Sequence, residues 1–267
     1  MTNLVSRAKE LLENKTVDVV IGFETGPTGL ARPAFITDPV KTDKLVFDDR
    51  CSHNLAVYLT KHEVKQMGKT AIVATLPIMR SIMMLISEKQ VDPENIVVLG
   101  ISTDGKLLDI ADISVMKGYI EKSDLKNPEK FKTPLDELSK LSQKERFSYW
   151  QEVLSKCIKC YACRQACPMC YCIRCTVEVN QPQWIPVQAN THGNMEWHIL
   201  RAMHLAGRCI SCGECGRACP VGIPCHLLTM HLTDKVYDYF KVYAGTSEKM
   251  SSVLSTFEPD DKESFII

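Results

Sequence analysis

The stretch from Cys157 to Cys225 constrains this chain most, because it holds every one of the thirteen cysteines except Cys51. Two copies of one pattern run through it. The first is Cys157-Ile-Lys-Cys160-Tyr-Ala-Cys163-Arg-Gln-Ala-Cys167-Pro168, and the second is Cys209-Ile-Ser-Cys212-Gly-Glu-Cys215-Gly-Arg-Ala-Cys219-Pro220. Each reads C-x2-C-x2-C-x3-C-P, the spacing that ligates paired 4Fe–4S clusters. Three thiolates two residues apart wrap one face of a cubane. The fourth, held before a proline, reaches the other cluster. The spacing therefore predicts one cluster on Cys157, Cys160, Cys163 and Cys219, and another on Cys209, Cys212, Cys215 and Cys167. Zinc knuckles fit less well, because structural zinc sites use paired C-x2-4-C elements rather than a doubled triplet.

Composition places few other limits. The chain has 267 residues, 45% hydrophobic and 24% charged, and its formal net charge is zero. That balance leaves no basic footprint for nucleic acid. No apolar run reaches the roughly 20 residues of a membrane span, and residues 1–15 lack a signal-peptide core. Dense cysteines in such a chain point to metal in a reducing cytoplasm rather than to disulfides. Exposed clusters also suit anaerobic metabolism.

Four domain-level segments are expected: an α/β domain over 1–120, a linker and entry helix over 121–156, a helical dicluster domain over 157–242, and a tail over 243–267. In the first, Leu4 to Asn14 has helical apolar spacing, and Val17 to Phe23 reads as a buried strand. Gly22, Gly26 and Gly29 match no dinucleotide or P-loop spacing, so a glycine-rich turn is expected there. Further strands are predicted at Leu45 to Phe47, Thr70 to Thr75 and Asn95 to Leu99. A helix capped by Asp48 and Asp49 is expected from near Cys51, and another over Ile78 to Lys89 behind Pro77. Alternating strands and helices argue for a parallel or mixed α/β sheet. The methionines at 79, 83 and 84 read as core filler rather than a cofactor site.

Glu121 to Lys132 reads as a polar linker. A long helix opens at Thr133-Pro134 and delivers the chain to Cys157. Helices are also predicted at Met195 to Leu205 and Ile223 to Phe240, which favours a helical dicluster domain over a compact βαβ one. In the tail, the stretch Thr256 to Asp261 is a candidate for docking a partner. The histidines form no metal-binding pair.

Five cysteines remain: Cys51, Cys170, Cys172, Cys175 and Cys225. Three thiols within Cys170-Tyr-Cys172-Ile-Arg-Cys175 predict a third metal centre, a 4Fe–4S cluster in preference to zinc. Its fourth ligand is Cys51, near a helix start where a thiolate is favoured, or alternatively Cys225, which otherwise reads as a packing residue.

The cluster motifs, the Cys170-Tyr-Cys172-x-x-Cys175 segment and Arg201-Ala-Met-His-Leu-Ala-Gly-Arg-Cys209 resemble the beta subunits of deazaflavin-dependent hydrogenases and formate dehydrogenases. Arg32-Pro33-Ala-Phe-Ile and Cys51-Ser-His-Asn54-Leu55-Ala56 in the first half carry the same resemblance. The dicluster part is also similar to the small iron–sulfur subunit of heterodisulfide reductase. The resemblance implies passage of electrons between a catalytic subunit and a flavin or heterodisulfide-type partner, and FAD in the α/β part. Thr75-Leu76-Pro77-Ile78 and Ser102-Thr103 depart from the family pattern. Each removes a cysteine from the C-terminal end of a strand, where α/β folds place ligands, so both speak against a flavin or extra cluster at that edge. The expected function is thus an electron-transfer subunit of a hydrogenase- or dehydrogenase-type complex with a heterodisulfide-reductase-like or flavin partner. The alternative is a flavin-binding catalytic beta subunit.

Overall fold

The structure is a computed structural model that describes residues 2–179, 181–250 and 253. The chain divides into two compact units. One comprises Met1–Asp124 with Gly245–Met250, and the other is built on Leu125–Ala244. The expected docking stretch Thr256 to Asp261 lies outside the described residues.

The first unit opens with α1 (Thr2–Glu13), which buries Leu4, Ala8, Leu11 and Leu12. Three strands follow: β1 (Val19–Thr25), β2 (Ala31–Ile36) and β3 (Leu45–Val46). After them come a 3-10 turn at Leu55–Tyr58, α2 (His62–Lys65), β4 (Thr70–Ala74), α3 (Leu76–Ser87), β5 (Ile96–Ile101), β6 (Leu107–Leu108) and α4 (Ile113–Glu121). The sheet order is β2-β1-β4-β5-β6, with β3 also pairing β1. The sheet is mixed. β1, β4 and β5 run parallel, while β2, β3 and β6 pair antiparallel to their neighbours.

The parallel centre follows from composition. Val19 to Phe23 and Thr70 to Ala74 are buried without alternation, as strands covered on both faces must be. Gly22 is needed for close approach, because a Cβ there would stand 2.5 Å from Leu45 Cδ2. The glycine-rich run is the turn of the β1–β2 hairpin, where Gly26 N donates to Leu30 O at 2.8 Å. α3 buries Ile78, Met79, Ile82, Met83, Met84 and Leu85, so its methionines are core.

Three details differ from the sequence expectation. No helix starts near Cys51. The Asp48 carboxylate instead accepts from Arg50 N at 2.9 Å, and ordered helix begins only at Leu55, capped by Asn54. β2 carries no apolar run and was not expected; its burial alternates instead. The long entry helix is broken in two, α5 (Lys132–Lys140) and α6 (Gln143–Ser155). Between them Leu141 is extended, and Ser142 forms a capping box with Glu145, a start signal strong enough to end one helix and begin another.

The remaining elements of the second unit are α7 (Ala162–Gln165), α8 (Thr191–His204), α9 (Glu214–Arg217) and α10 (Cys225–Phe240). Among the described residues its regular structure is helical. Its core joins Leu154 of α6, Trp197 of α8 and Ile223 and Cys225 around the cysteine loops.

Asn54 ties the first unit's loop to its core. Its Oδ1 accepts from Ala56 N at 3.2 Å and its Nδ2 donates to Ser81 Oγ at 2.9 Å, and Asn54 is 2% exposed. Asn54→Ala removes a cap and leaves a buried hydroxyl short of a partner, a loss of about 2 kcal/mol. Hydrogen-exchange protection of α3 amides is expected to fall roughly 30-fold at that energy. Unchanged protection would show that the bond does not hold this face.

Candidate metal centres

The two motifs fold the same way, residue for residue. Backbone φ is positive at Lys159 and Tyr161 in the first, and at Ser211 and Gly213 in the second. These are equivalent positions, before and after the middle cysteine. Left-handed residues curl the loop so that its three thiols face inward. Glycine suits the second loop for a further reason, since a Cβ at Gly213 would stand 2.9 Å from the Phe131 ring. Each loop then enters a four-residue helix, α7 or α9. The hydrogen bonds repeat: Gln165 N to Tyr161 O at 3.0 Å matches Arg217 N to Gly213 O at 3.2 Å, and Cys167 N to Arg164 O matches Cys219 N to Gly216 O, both at 3.2 Å.

This repetition gathers the cysteines in two sets. One cavity is lined by Cys157, Cys160, Cys163 and Cys219, with Cys225, Trp197, His198 and Ile223. A second is lined by Cys167, Cys209, Cys212 and Cys215, with Met169, Ile210 and Thr229. Of the motif cysteines, each cavity thus takes three from one motif and the last from the other, and Cys225 adds a fifth thiol to the first cavity.

The donors at both cavities suit an iron–sulfur group. Every set is all-thiol. Backbone N–H groups already face the sulfurs: Lys159 N to Cys157 Sγ at 3.3 Å, Ser211 N to Cys209 Sγ at 3.4 Å and Ile223 N to Cys219 Sγ at 3.3 Å. Such bonds are among the features that set cluster potentials. Two residues lining the first cavity carry buried polar atoms with no partner, Trp197 Nε1 and His198 Nε2. A sulfide is an acceptor for such groups, and unpaired buried donors are otherwise rare. Among the described residues no three His, Cys, Asp or Glu side chains stand close enough to hold a single ion. Held in these cavities, a 4Fe–4S cluster supplies one-electron chemistry.

Charge is concentrated between the cavities. Burial pushes the Cys157 and Cys209 thiols up. The third cysteine of each motif goes the other way. A bond from the Cys225 thiol draws Cys215 down to about 6, with the Arg201 charge assisting, and lowers Cys163 likewise. Cys225 itself is raised far by hydrogen bonding among these three thiols and by burial. Its Sγ also donates to Cys215 O at 3.1 Å. The sequence left Cys225 as a packing residue or a ligand of a third centre. The structure stands it between Cys163 and Cys215.

The other extra cysteines face three different surroundings. Hydrogen bonding with the Cys167 thiol, helped by the Arg201 and Arg208 charges, draws Cys170 down to about 6. Cys172 is exposed, and its carbonyl accepts from Arg164 at 2.6 Å. Cys175 packs against the core of the second unit, with Glu178 and Arg164 nearby. Cys51 is 9% exposed in the first unit; its sulfur accepts from Asp48 N at 3.5 Å, its thiol donates to Val46 O at 3.7 Å, and burial raises it. At the strand ends singled out by sequence, Thr75 caps α3 with no side-chain bond, and the Ser102 hydroxyl is committed to Asp104.

Residues 156–224 match the 4Fe-4S dicluster domain family. The match spans both motifs and ends one residue before Cys225. The chain is also similar to the F420-dependent formate dehydrogenase subunit beta of Methanocaldococcus jannaschii, 30% identical over 102 residues, which are 38% of this chain and 26% of that protein. The chain thus spans about a quarter of the length of the curated relative it matches. It carries an iron–sulfur ferredoxin-type domain and resembles the beta subunit of a deazaflavin-dependent dehydrogenase, as the motifs implied. No helix among the described residues is long and apolar enough to cross a membrane.

Sequence reasoning passed over one set of site residues. Asn194, Trp197, His198 and Arg201 recur at helical spacing on α8 and are all buried. Four such polar-tipped residues on the buried stripe of a helix were the available signal. Asn194 closes the first loop, its Nδ2 donating to Leu154 O at 3.2 Å and Cys157 O at 2.8 Å. Asn194→Ala removes the Cys157 carbonyl's side-chain donor, at about 2 kcal/mol. A chelator is then expected to strip the iron held by Cys157, Cys160, Cys163 and Cys219 about 30-fold faster than in the parent protein, with the other half little changed. Equal acceleration of both halves would show that Asn194 supports the whole unit rather than the first loop.

Proposed function

We propose that this chain is an iron–sulfur electron-transfer subunit of a cytoplasmic redox complex. One 4Fe–4S cluster is held by Cys157, Cys160, Cys163 and Cys219, and the other by Cys209, Cys212, Cys215 and Cys167, in an α-helical dicluster domain over 157–242. An α/β domain over 1–120 and the linker of 121–156 precede it, and the tail of 243–267 is the docking segment. The observation that carries the reading is the sorting of eight cysteines into two cavities, each completed by the other motif. The partners are a dehydrogenase- or hydrogenase-type subunit on one side and a heterodisulfide-reductase-like or flavin subunit on the other. Support for them comes from the formate dehydrogenase relative and from the family motifs. The role is relay rather than catalysis, because the committed Ser102 hydroxyl and the bare Thr75 cap offer no cysteine at the strand edge where a flavin or substrate site is expected.

A third 4Fe–4S centre on Cys170, Cys172 and Cys175, with Cys51 or Cys225 as fourth ligand, is a separate proposal that rests on the density of thiols. Metal analysis decides both. Two clusters give about eight irons and eight labile sulfides per chain, at four of each per cubane, with no flavin released by acid. Cys160→Ser and Cys212→Ser are each expected to remove about half of the iron. A count near twelve that falls to near eight in Cys172→Ser establishes the third centre, and a count that Cys172→Ser leaves at about eight excludes it. Stoichiometric flavin would turn the reading to a catalytic beta subunit, and zinc without labile sulfide would sink it.

A further inference from the structure

The second unit places one cation where both cysteine sets meet. Arg201 on α8 is 5% exposed. Its guanidinium donates to Cys163 O at 2.9 Å, on the wall of the first cavity. Its charge acts on the Cys215, Cys170 and Cys167 sulfurs. Cys215 and Cys167 line the second cavity. Its Nε–H is buried and has no partner. Among the described residues no carboxylate forms an ion pair with it. Cysteine sulfur is therefore the negative charge it has been buried to meet. Burying an uncompensated guanidinium is expensive, so this position needs thiolate or cluster charge to be stable at all. Of the other half-buried cations, Lys159 lies by Cys157, with its Nζ on Pro186 O, Arg217 lies by Cys212, Arg208 donates to Met169 O and lies by Cys170, and Arg164 pairs with Glu178.

We propose that Arg201 is a positioning residue shared by both clusters, its fixed charge raising the reduction potential of each and holding the two potentials together. The proposal rests on the two-cluster reading above. In each reduction step one electron enters a cluster from a donor, which is oxidised by one electron. The donor is the partner subunit in the complex, or a mediator dye reduced by dithionite in a titration. No bond forms or breaks, and no proton is transferred. The added negative charge is favoured by a nearby cation in a poorly solvated setting. One cation between two sites acts on both, and Lys159 and Arg217 do not.

The test is a potentiometric titration of the full chain followed by electron paramagnetic resonance, in the parent, Arg201→Met and Arg201→Lys. Iron and labile sulfide are counted in the same samples. In Arg201→Met both potentials are expected to fall, each by at least a tenfold change in the reduction equilibrium, which is 59 mV for one electron. Arg201→Lys keeps the charge and is expected to restore most of both shifts. Potentials in Arg201→Met that do not move, or a shift confined to one cluster, would overturn the proposal. So would a drop in Arg201→Lys as large as in Arg201→Met. If Arg201→Met loses its iron, Arg201→Lys decides alone. Both clusters retained near their parent potentials support the charge, and loss of iron there too assigns Arg201 to the fold and overturns the idea. A parent protein without labile sulfide would defeat the two-cluster reading itself, and this proposal with it, before any variant is made.

Discussion

Everything in the second unit depends on a backbone that turns left-handed twice between the first and third cysteine of each motif. Lys159 and Tyr161 in one loop, and Ser211 and Gly213 in the other, hold positive φ. Three of the four are not glycine, and a non-glycine residue in this region is held there against its preference. What holds them is local. Backbone N–H groups bond the thiols, the four-residue helices α7 and α9 begin at once, and Asn194 pins the entrance of the first loop. The strain is distributed over two short loops, and the result is a set of inward sulfurs that a flat or helical segment cannot make.

Gathering so much sulfur in one place creates an electrostatic problem, and the unit answers it in layers. Backbone N–H groups reach Cys157, Cys209 and Cys219. The Cys225 thiol donates to Cys215 O and favours the thiolates of Cys163 and Cys215. Lys159 and Arg217 flank one set each, and Arg201 lies against both. Neutral donors and fixed charges thus do different work. The former settle individual sulfurs, while the latter bias the whole assembly toward its electron-rich form.

The dicluster domain was legible because C-x2-C-x2-C-x3-C-P occurs twice in full. The parallel strands β1, β4 and β5 were legible because unbroken apolar runs have few other uses. What escaped had physical reasons. β2 is an edge strand whose burial alternates, so it offered no apolar run. The helix expected near Cys51 gave way to a loop: the Asp48 carboxylate is held by the backbone and side chain of Arg50, and no helical turn follows until Leu55. The break at Ser142 was written in the Ser-x-x-Glu box and overridden by a hydrophobic period that runs straight through it. Arg201 and Asn194 were invisible as site residues, and Cys225 was read only as a packing residue or a third-centre ligand, because their places come from what the fold brings to them, and no local pattern records a neighbour from another motif.

The exchange of the last cysteine between motifs carries a consequence for how the unit can be built and taken apart. Neither half is self-sufficient: cutting between Pro168 and Cys209 leaves each fragment with three inward thiols for one cavity and a stray fourth meant for the other. The unit is therefore indivisible in the sense of a link in a chain, where opening one ring frees its neighbour. It has two similar loops, yet neither loop can be shed, swapped or grafted singly. Any larger protein that borrows this module has to take it whole.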